Sequence, residues 1–108
     1  MVNNSVELDR SFGALAHPVR RRIVERLAGG PASVGDATGG LGVSKPAISK
    51  HLRVLEEAGV VARTVEGRTH RLTLSERPLT DASGWIDRQR ELWERKFDTI
   101  DEYHKEQR

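Results

Sequence analysis

No cysteine occurs among the 108 residues, which excludes disulfides, thiolate metal sites and cysteine nucleophiles together and fits a reducing compartment. No apolar run approaches the length of a membrane span, and the opening segment, MVNNSVELDR, lacks the basic-then-apolar layout of a signal peptide. A soluble, cytoplasmic protein without a membrane partner is expected. Repeats and low-complexity tracts are absent as well. So are the arrangements that carry catalysis: no Ser/His/Asp or paired-carboxylate pattern stands beside a glycine-rich phosphate loop, and Gly29-Gly30 and Gly39-Gly40 break helices without making a nucleotide fingerprint. An enzyme is therefore not expected. A strong excess of one charge is also lacking, with 18 Lys+Arg against 16 Asp+Glu and a net charge of +2. The distribution says more: residues 41–74 hold six Lys/Arg and three Asp/Glu, residues 75–108 seven and nine. A basic middle precedes a mildly acidic tail.

That basic middle contains the most informative stretch, Val43 to Val61, VSKPAISKHLRVLEEAGVV. Ser44 is suited to accept hydrogen bonds from the unpaired N–H groups of a first helical turn, and Pro46 tolerates a helix start because it has no N–H to satisfy. A helix is predicted from near Lys45. Ile48, Leu52 and Leu55 recur at helical spacing, widened by Ala47, Val54 and Ala58, and Gly59 can take the left-handed conformation that ends a helix. The opposite face carries Lys45, Ser49, Lys50 and Arg53, with Glu56 and Glu57 held to the C-terminal end. Cations and a hydroxyl at the leading end of the wet face suit a helix laid in a major groove. A merely solvated amphipathic helix shows charge too, so the flanking segments must decide.

Upstream, a helix is predicted from Val6, with Leu8, Phe12, Leu15 and Ala16 on one side, ending at the break AHP. Pro18 opens a second helix whose buried stripe is Val19, Ile23, Val24 and Leu27. Arg20, Arg21, Arg22 and Arg26 lie mostly outside that stripe and are read as solvated or ion-paired. Gly29-Gly30-Pro31 stops it. In ASVGDATGGLG, Ser33 can cap a short helix carrying Val34, Ala37 and Leu41 that frays toward Gly39, since each glycine weakens a helix by about 1 kcal/mol relative to alanine. Helix, turn and amphipathic helix make a helix-turn-helix.

Downstream, the period changes from helical to alternating. Val61 to Val65 and Thr69 to Leu74 flank Glu66-Gly67-Arg68, which predicts a two-stranded hairpin with Gly67 supplying a positive φ. This is a wing, and Arg63, Arg68 and Arg71 place three cations on it within reach of phosphates. From Pro78 and Thr80 the chain reads as a long helix despite Gly84. Ile86, Trp93, Phe97 and Ile100 mark its apolar stripe, bordered by Trp85, Gln89, Leu92, Lys96 and Tyr103. Such a face either caps its own core or forms a dimer seam, and the seam is favoured because so small a domain cannot cover so long and aromatic a tail.

With these pieces placed, the sequence resembles the ArsR/SmtB family of winged-helix bacterial transcription regulators. FGALAHPVRRRIVERL and VSKPAISKHLRVLEEAGVVARTVEGRTHRLTL carry the match, and the Ser-x-His-Leu pattern followed by Ala-Gly-Val-Val and a Gly-Arg wing turn is the specific part. The resemblance implies a mainly α fold with a small β-hairpin wing, in one domain over residues 1–108. The DNA-binding core would span residues 6–76 and a dimerisation helix residues 78–105. It implies a homodimeric, sequence-specific repressor on double-stranded DNA, bound to a near-palindrome. Base and backbone contacts carry over onto Lys45, Pro46, Ser49 and Lys50, and the wing arginine Arg68 would meet phosphate or minor groove. The first and last helices would form the interface, bringing Phe12 to join Trp85, Ile86, Gln89, Trp93, Phe97, Ile100 and Tyr103.

His51, the histidine of Ser-x-His-Leu, borders the buried stripe and is read as packing or hydrogen bonding between helices rather than touching DNA. The family's metal sites find no counterpart here: SVGDATGGL offers no soft ligand, Asp101 and His104 stand alone at i, i+3, and His17, His51, His70 and His104 are scattered, whereas zinc wants about four ligands. No metal or cofactor is expected, and any small-molecule effector is left open. Two alternatives remain: a winged-helix module for protein interaction or DNA architecture, and a metal-responsive repressor with an unrecognised site.

Overall fold

The computed structural model describes the backbone of residues 4–106 and the side chains of residues 5–98. Helix α1, Asn4–Leu15, runs into the turn before Pro18, where α2, Pro18–Ala28, begins. His17 caps α2, its Nδ1 accepting the backbone N–H of Val19 at 3.1 Å. Ser33 caps the five-residue α3, Val34–Thr38, by accepting from the N–H of Asp36 at 3.1 Å. The helix stops at Gly39, where the glycine run begins. Helix α4, Lys45–Glu57, starts as its sequence dictates, with the Ser44 hydroxyl accepting from Ala47 N–H at 3.3 Å. Its end is a Schellman closure: Gly59 takes φ +72°, Gly59 N–H donates to Glu56 O at 3.0 Å and Val60 N–H to Leu55 O at 3.0 Å. The fully buried Leu55 and Val60 are the apolar pair that accompanies that motif.

Strands β2, Val61–Glu66, and β3, Thr69–Leu74, pair antiparallel with Glu66 opposite Thr69, leaving a two-residue turn. Gly67 holds φ +62° in the first turn position and Arg68 stays at negative φ, the pattern of a type II′ hairpin turn. The wing differs from the expected two-stranded ribbon in one respect. A short strand β1, Ala32–Ser33, pairs with Leu72 and Arg71 of β3, giving a three-stranded sheet in the order β1-β3-β2. Two residues are too few to show a period, so this strand exists only through its partner.

Ile23 and Leu27 of α2, Leu52 and Leu55 of α4, Val60, Val61 and Leu72 form one buried cluster with Ala14 and Ala37. All but Val60 belong to named elements, α1 to α4 and the two wing strands, so the core fixes the helix-turn-helix and wing against the first two helices. Helix α5, Glu76–Glu106, begins two residues before Pro78 and continues unbroken through Gly84 for 31 residues, about 46 Å at 1.5 Å per residue. It packs on α1 near its start, where Ala82 is buried and the rings of Phe12 and Trp85 meet edge-on at 5.9 Å. Beyond that it projects. The radius of gyration is 19.2 Å, against about 13 Å for a compact chain of this length. No helix among the described residues is long and apolar enough to cross a membrane.

Candidate nucleic-acid interface

Lys45, Pro46, Ser49, Lys50 and Arg53 are all exposed along α4. At 100° per residue they span an arc of about 140°, whose middle lies about 120° around the helix from the side that buries Leu52 and Leu55. The wing stands beside this face, with Arg68 at its turn and Arg71 on β3, both exposed. Among the described residues, Lys45, Lys50, Arg53, Arg68 and Arg71 form no ion pair and no side-chain hydrogen bond. Five uncompensated cations on one helix face and its neighbouring hairpin leave a surface that favours a polyanion.

Arg63 and three arginines of α2 are engaged, and this is where the structure departs from the sequence-based expectation. Arg63 does not stand free on the wing. Its Nε donates to Glu56 Oε1 at 3.1 Å, its Nη2 makes an ion pair with the same oxygen, and its Nη1 donates to His70 Nδ1 at 3.2 Å. An arginine carries donors only, so the His70 nitrogen must accept. Arg63 thus ties β2 to the end of α4 and has part of its charge cancelled. Of the α2 arginines, Arg22 is exposed and solvated as expected, whereas Arg20, Arg21 and Arg26 are neither simply solvated nor ion-paired. Arg20 donates to Ala14 O at 2.7 Å and Gly13 O at 3.1 Å, and Arg21 donates to Leu15 O at 2.8 Å. Arg26 reaches Gly39 O at 2.7 Å and Ala37 O at 3.2 Å. These guanidinium groups cap the carbonyl ends of α1 and α3, where a helix leaves acceptors unpaired and partial negative charge gathers. A sequence reading could have found them from the AHP break, since cations just after a helix end are placed to do this.

His51 sits between helices, as its position beside the buried stripe suggested. Its ring lies 4.3 Å from that of His17, centroid to centroid, and its Nδ1 meets Arg20 Nη1 at 3.0 Å. Since Arg20 can only donate, Nδ1 of His51 is the acceptor and the neutral ring carries its proton on Nε2. Burial lowers its pKa below the ordinary value of 6.5, and the neighbouring His17 and the Arg20 guanidinium lower it further. The junction of α1, α2 and α4 therefore favours the neutral form of this histidine, whose ring ties α4 to α2 through Arg20.

The dimer-seam candidates divide. Phe12 is half-buried against Trp85, whereas Trp85, Ile86, Trp93 and Phe97 are 41%, 43%, 63% and 51% exposed. Trp93 and Phe97 pack edge-on at 4.8 Å along the helix, and Gln89 is exposed in the same stripe. The side chains of Ile100 and Tyr103 lie outside the described residues, as do those of Asp101 and His104. Among the described residues no three His, Asp or Glu side chains converge on a possible metal position.

Comparison with known proteins decides the class. The model of a helix-turn-helix domain matches residues 15–64. The transcriptional repressor SdpR of Bacillus subtilis is 33% identical over 79 residues, covering 73% of this chain and 88% of that protein. The crystal structure of an ArsR family transcriptional regulator superposes with a TM-score of 0.80 at 33% identity, covering 87% of this chain and 97% of the other. The chain belongs to the ArsR/SmtB family of winged-helix transcriptional regulators. As a member it is a DNA-binding regulator and not an enzyme. An ArsR-like regulator from Rhodococcus sp. RHA1 superposes with a TM-score of 0.77 at 29% identity over 92% of this chain and 93% of that one. The HTH-type regulator Rv2034 of Mycobacterium tuberculosis is 55% identical over 53 residues, but the match spans 49% of this chain and 50% of that protein. That higher identity is thus confined to about half of each chain. Val34–Thr38 carries one carboxylate and no soft donor, which does not fit a thiolate metal site at α3.

Proposed function

We propose that this ArsR/SmtB regulator is a homodimeric repressor that reads a near-palindromic operator in the cytoplasm. The observation that carries the reading is the unpaired state of Lys45, Lys50, Arg53, Arg68 and Arg71 while Arg20, Arg21, Arg26 and Arg63 are all engaged. In this reading Lys45, Pro46, Ser49 and Lys50 enter the major groove with the first turns of α4, Arg53 follows one turn later, and Arg68 and Arg71 meet the backbone or the minor groove. Arg63 serves the wing by fixing it to α4 rather than by meeting phosphate. Two copies join through α1 and α5, where Trp85, Ile86, Gln89, Trp93 and Phe97 offer a self-complementary stripe, continued in sequence by Ile100 and Tyr103. Two recognition helices would then face half-sites about 34 Å apart, one turn of duplex. The names of SdpR and of the biofilm growth-associated repressor of Xylella fastidiosa, 35% identical over 75 residues, support the sense of regulation.

Titration of a duplex taken from upstream of the protein's own gene, against a scrambled duplex, tests this at several salt concentrations. Arg68→Ala should weaken both duplexes alike and reduce the salt slope by about one unit for each phosphate no longer neutralised in each subunit. Ser49→Ala and Lys50→Ala should lower the ratio of specific to non-specific affinity instead, at about 1–3 kcal/mol for each base no longer read. An intact ratio in both α4 variants, with the ratio abolished in Arg68→Ala, would move sequence readout to the wing and overturn the assignment.

A further inference from the structure

A cleft of about 660 Å³ lies where α1, the end of α4 and the start of α5 meet. Its polar lining includes Glu7, Arg10 and Ser11 from α1, Glu57 from α4, and Arg88 from α5. Ser11 is only 3% exposed, and its hydroxyl makes no hydrogen bond among the described residues. A buried helical serine ordinarily returns its hydroxyl to a carbonyl of the preceding turn. Here it keeps a surface toward the cleft and lacks a partner. Gly84 widens the space beneath. A Cβ there would meet nothing closer than the Arg88 guanidinium at 3.5 Å, so packing would admit alanine, which is much the better helix former in mid-helix.

The charges around the cleft are balanced but unpaired. Arg77 and Asp81 face each other at 3.9 Å along α5. Beyond that pair stand Arg10 and Arg88 against Glu7 and Glu57, and none of these four forms an ion pair among the described residues. Unpaired charge of both signs around a partnerless hydroxyl matches a ligand that itself carries both signs. Leu8, Ala58 and Pro78 supply apolar wall for its body. We infer that the cleft is a binding site for a small zwitterion of amino-acid or dipeptide size, its carboxylate held by Arg10, Arg88 and the Ser11 hydroxyl and its ammonium by Glu7 and Glu57.

The site is placed to act on DNA binding. Glu57, Ala58 and Gly59 end the recognition helix, and Pro78, only 3.7 Å from where a Cβ on Gly59 would stand, lies in the first turn of the long helix. An occupant therefore touches the reading element and the proposed dimer element together. Positions 77, 81, 84 and 88 lie on one stripe of α5, about 150° from the Ile86, Gln89, Trp93 and Phe97 stripe at 100° per residue. A seam running along Ile86, Gln89, Trp93 and Phe97 faces away from the cleft side of α5. The effect on DNA rests on the repressor reading, whereas the binding itself does not.

Isothermal titration of the full chain without DNA tests the binding, with L-leucine and the dipeptide Ala-Leu as probes. N-acetyl-leucine, which lacks the ammonium, and leucinamide, which lacks the carboxylate, are the controls. Saturable heat is expected with at least one zwitterion, at least tenfold weaker binding of both controls, and at least tenfold weaker binding of that zwitterion by Ser11→Ala and Arg88→Gln. Circular dichroism should show both variants folded. No saturation by either zwitterion up to about 10 mM, a control bound as tightly, or variants that bind unchanged would each overturn the site. A ligand that binds as described but leaves operator affinity unchanged would keep the site and remove its regulatory role. Failure to bind any operator at all would instead count against the repressor reading.

Discussion

Replacing Trp93 with alanine probes the proposed seam where the numbers are largest. Trp93 is 63% exposed on a part of α5 that projects beyond the core. A tryptophan side chain offers up to about 250 Å², so about 160 Å² remains to be covered by a partner. At about 25 cal/mol per Å², covering half of that contributes about 2 kcal/mol per protomer. A twofold interface holds the residue twice, giving about 4 kcal/mol, or roughly a thousandfold in the dimer dissociation constant. Alanine is also the best helix former, so the variant should keep its helix content while dissociating. Sedimentation equilibrium over a range of protein concentrations reads the shift, and circular dichroism checks the fold. A folded Trp93→Ala protein with an unchanged dissociation constant would refute the seam. Phe97→Ala should act in the same direction but less than additively with Trp93→Ala, because the two rings touch.

Three further outcomes follow from the site's geometry. The folded pKa of His51 lies below its ordinary value, so the unfolded chain takes up the proton first. Its contribution to stability is complete above about pH 6.5 and is lost as pH falls from there through the folded pKa. Urea midpoints between about pH 5 and 8 should fall less toward acid in His51→Gln, whose amide oxygen can still accept from Arg20 but cannot titrate; an unchanged profile would dismiss the role given to this ring. Ser44→Ala removes the α4 cap seen at 3.3 Å and should cost about 1 kcal/mol in urea denaturation; no loss would mean the first turn is held otherwise. Arg63→Ala should cost less than about 1 kcal/mol, because both partners of its ion pair are about one third exposed. It should leave the salt slope of DNA binding unchanged where Arg68→Ala lowers it, and equal slopes for the two variants would return Arg63 to the phosphate-binding set.

What the sequence determined by itself is what short-range chemistry determines. Ser44, Pro46, the Ile48/Leu52/Leu55 period and Gly59 mark both ends and the buried side of α4 because caps, helical period and positive φ each act within a few residues. Gly67 placed the hairpin turn for the same reason. The family was legible because its characteristic residues lie in that stretch and the wing. Tertiary structure alone decided what depends on distant partners. Strand β1 appears only where Ala32 and Ser33 meet Leu72 and Arg71. The equal formal charges of Arg20, Arg26, Arg63 and Arg68 separate into carbonyl caps, an ion pair and an unpaired cation only when the neighbouring helix ends, Glu56 and His70 are brought beside them. The neutral state of His51 and the uncommitted hydroxyl of Ser11 have the same origin, since burial and nearby charge are set by packing among helices that the local sequence does not encode.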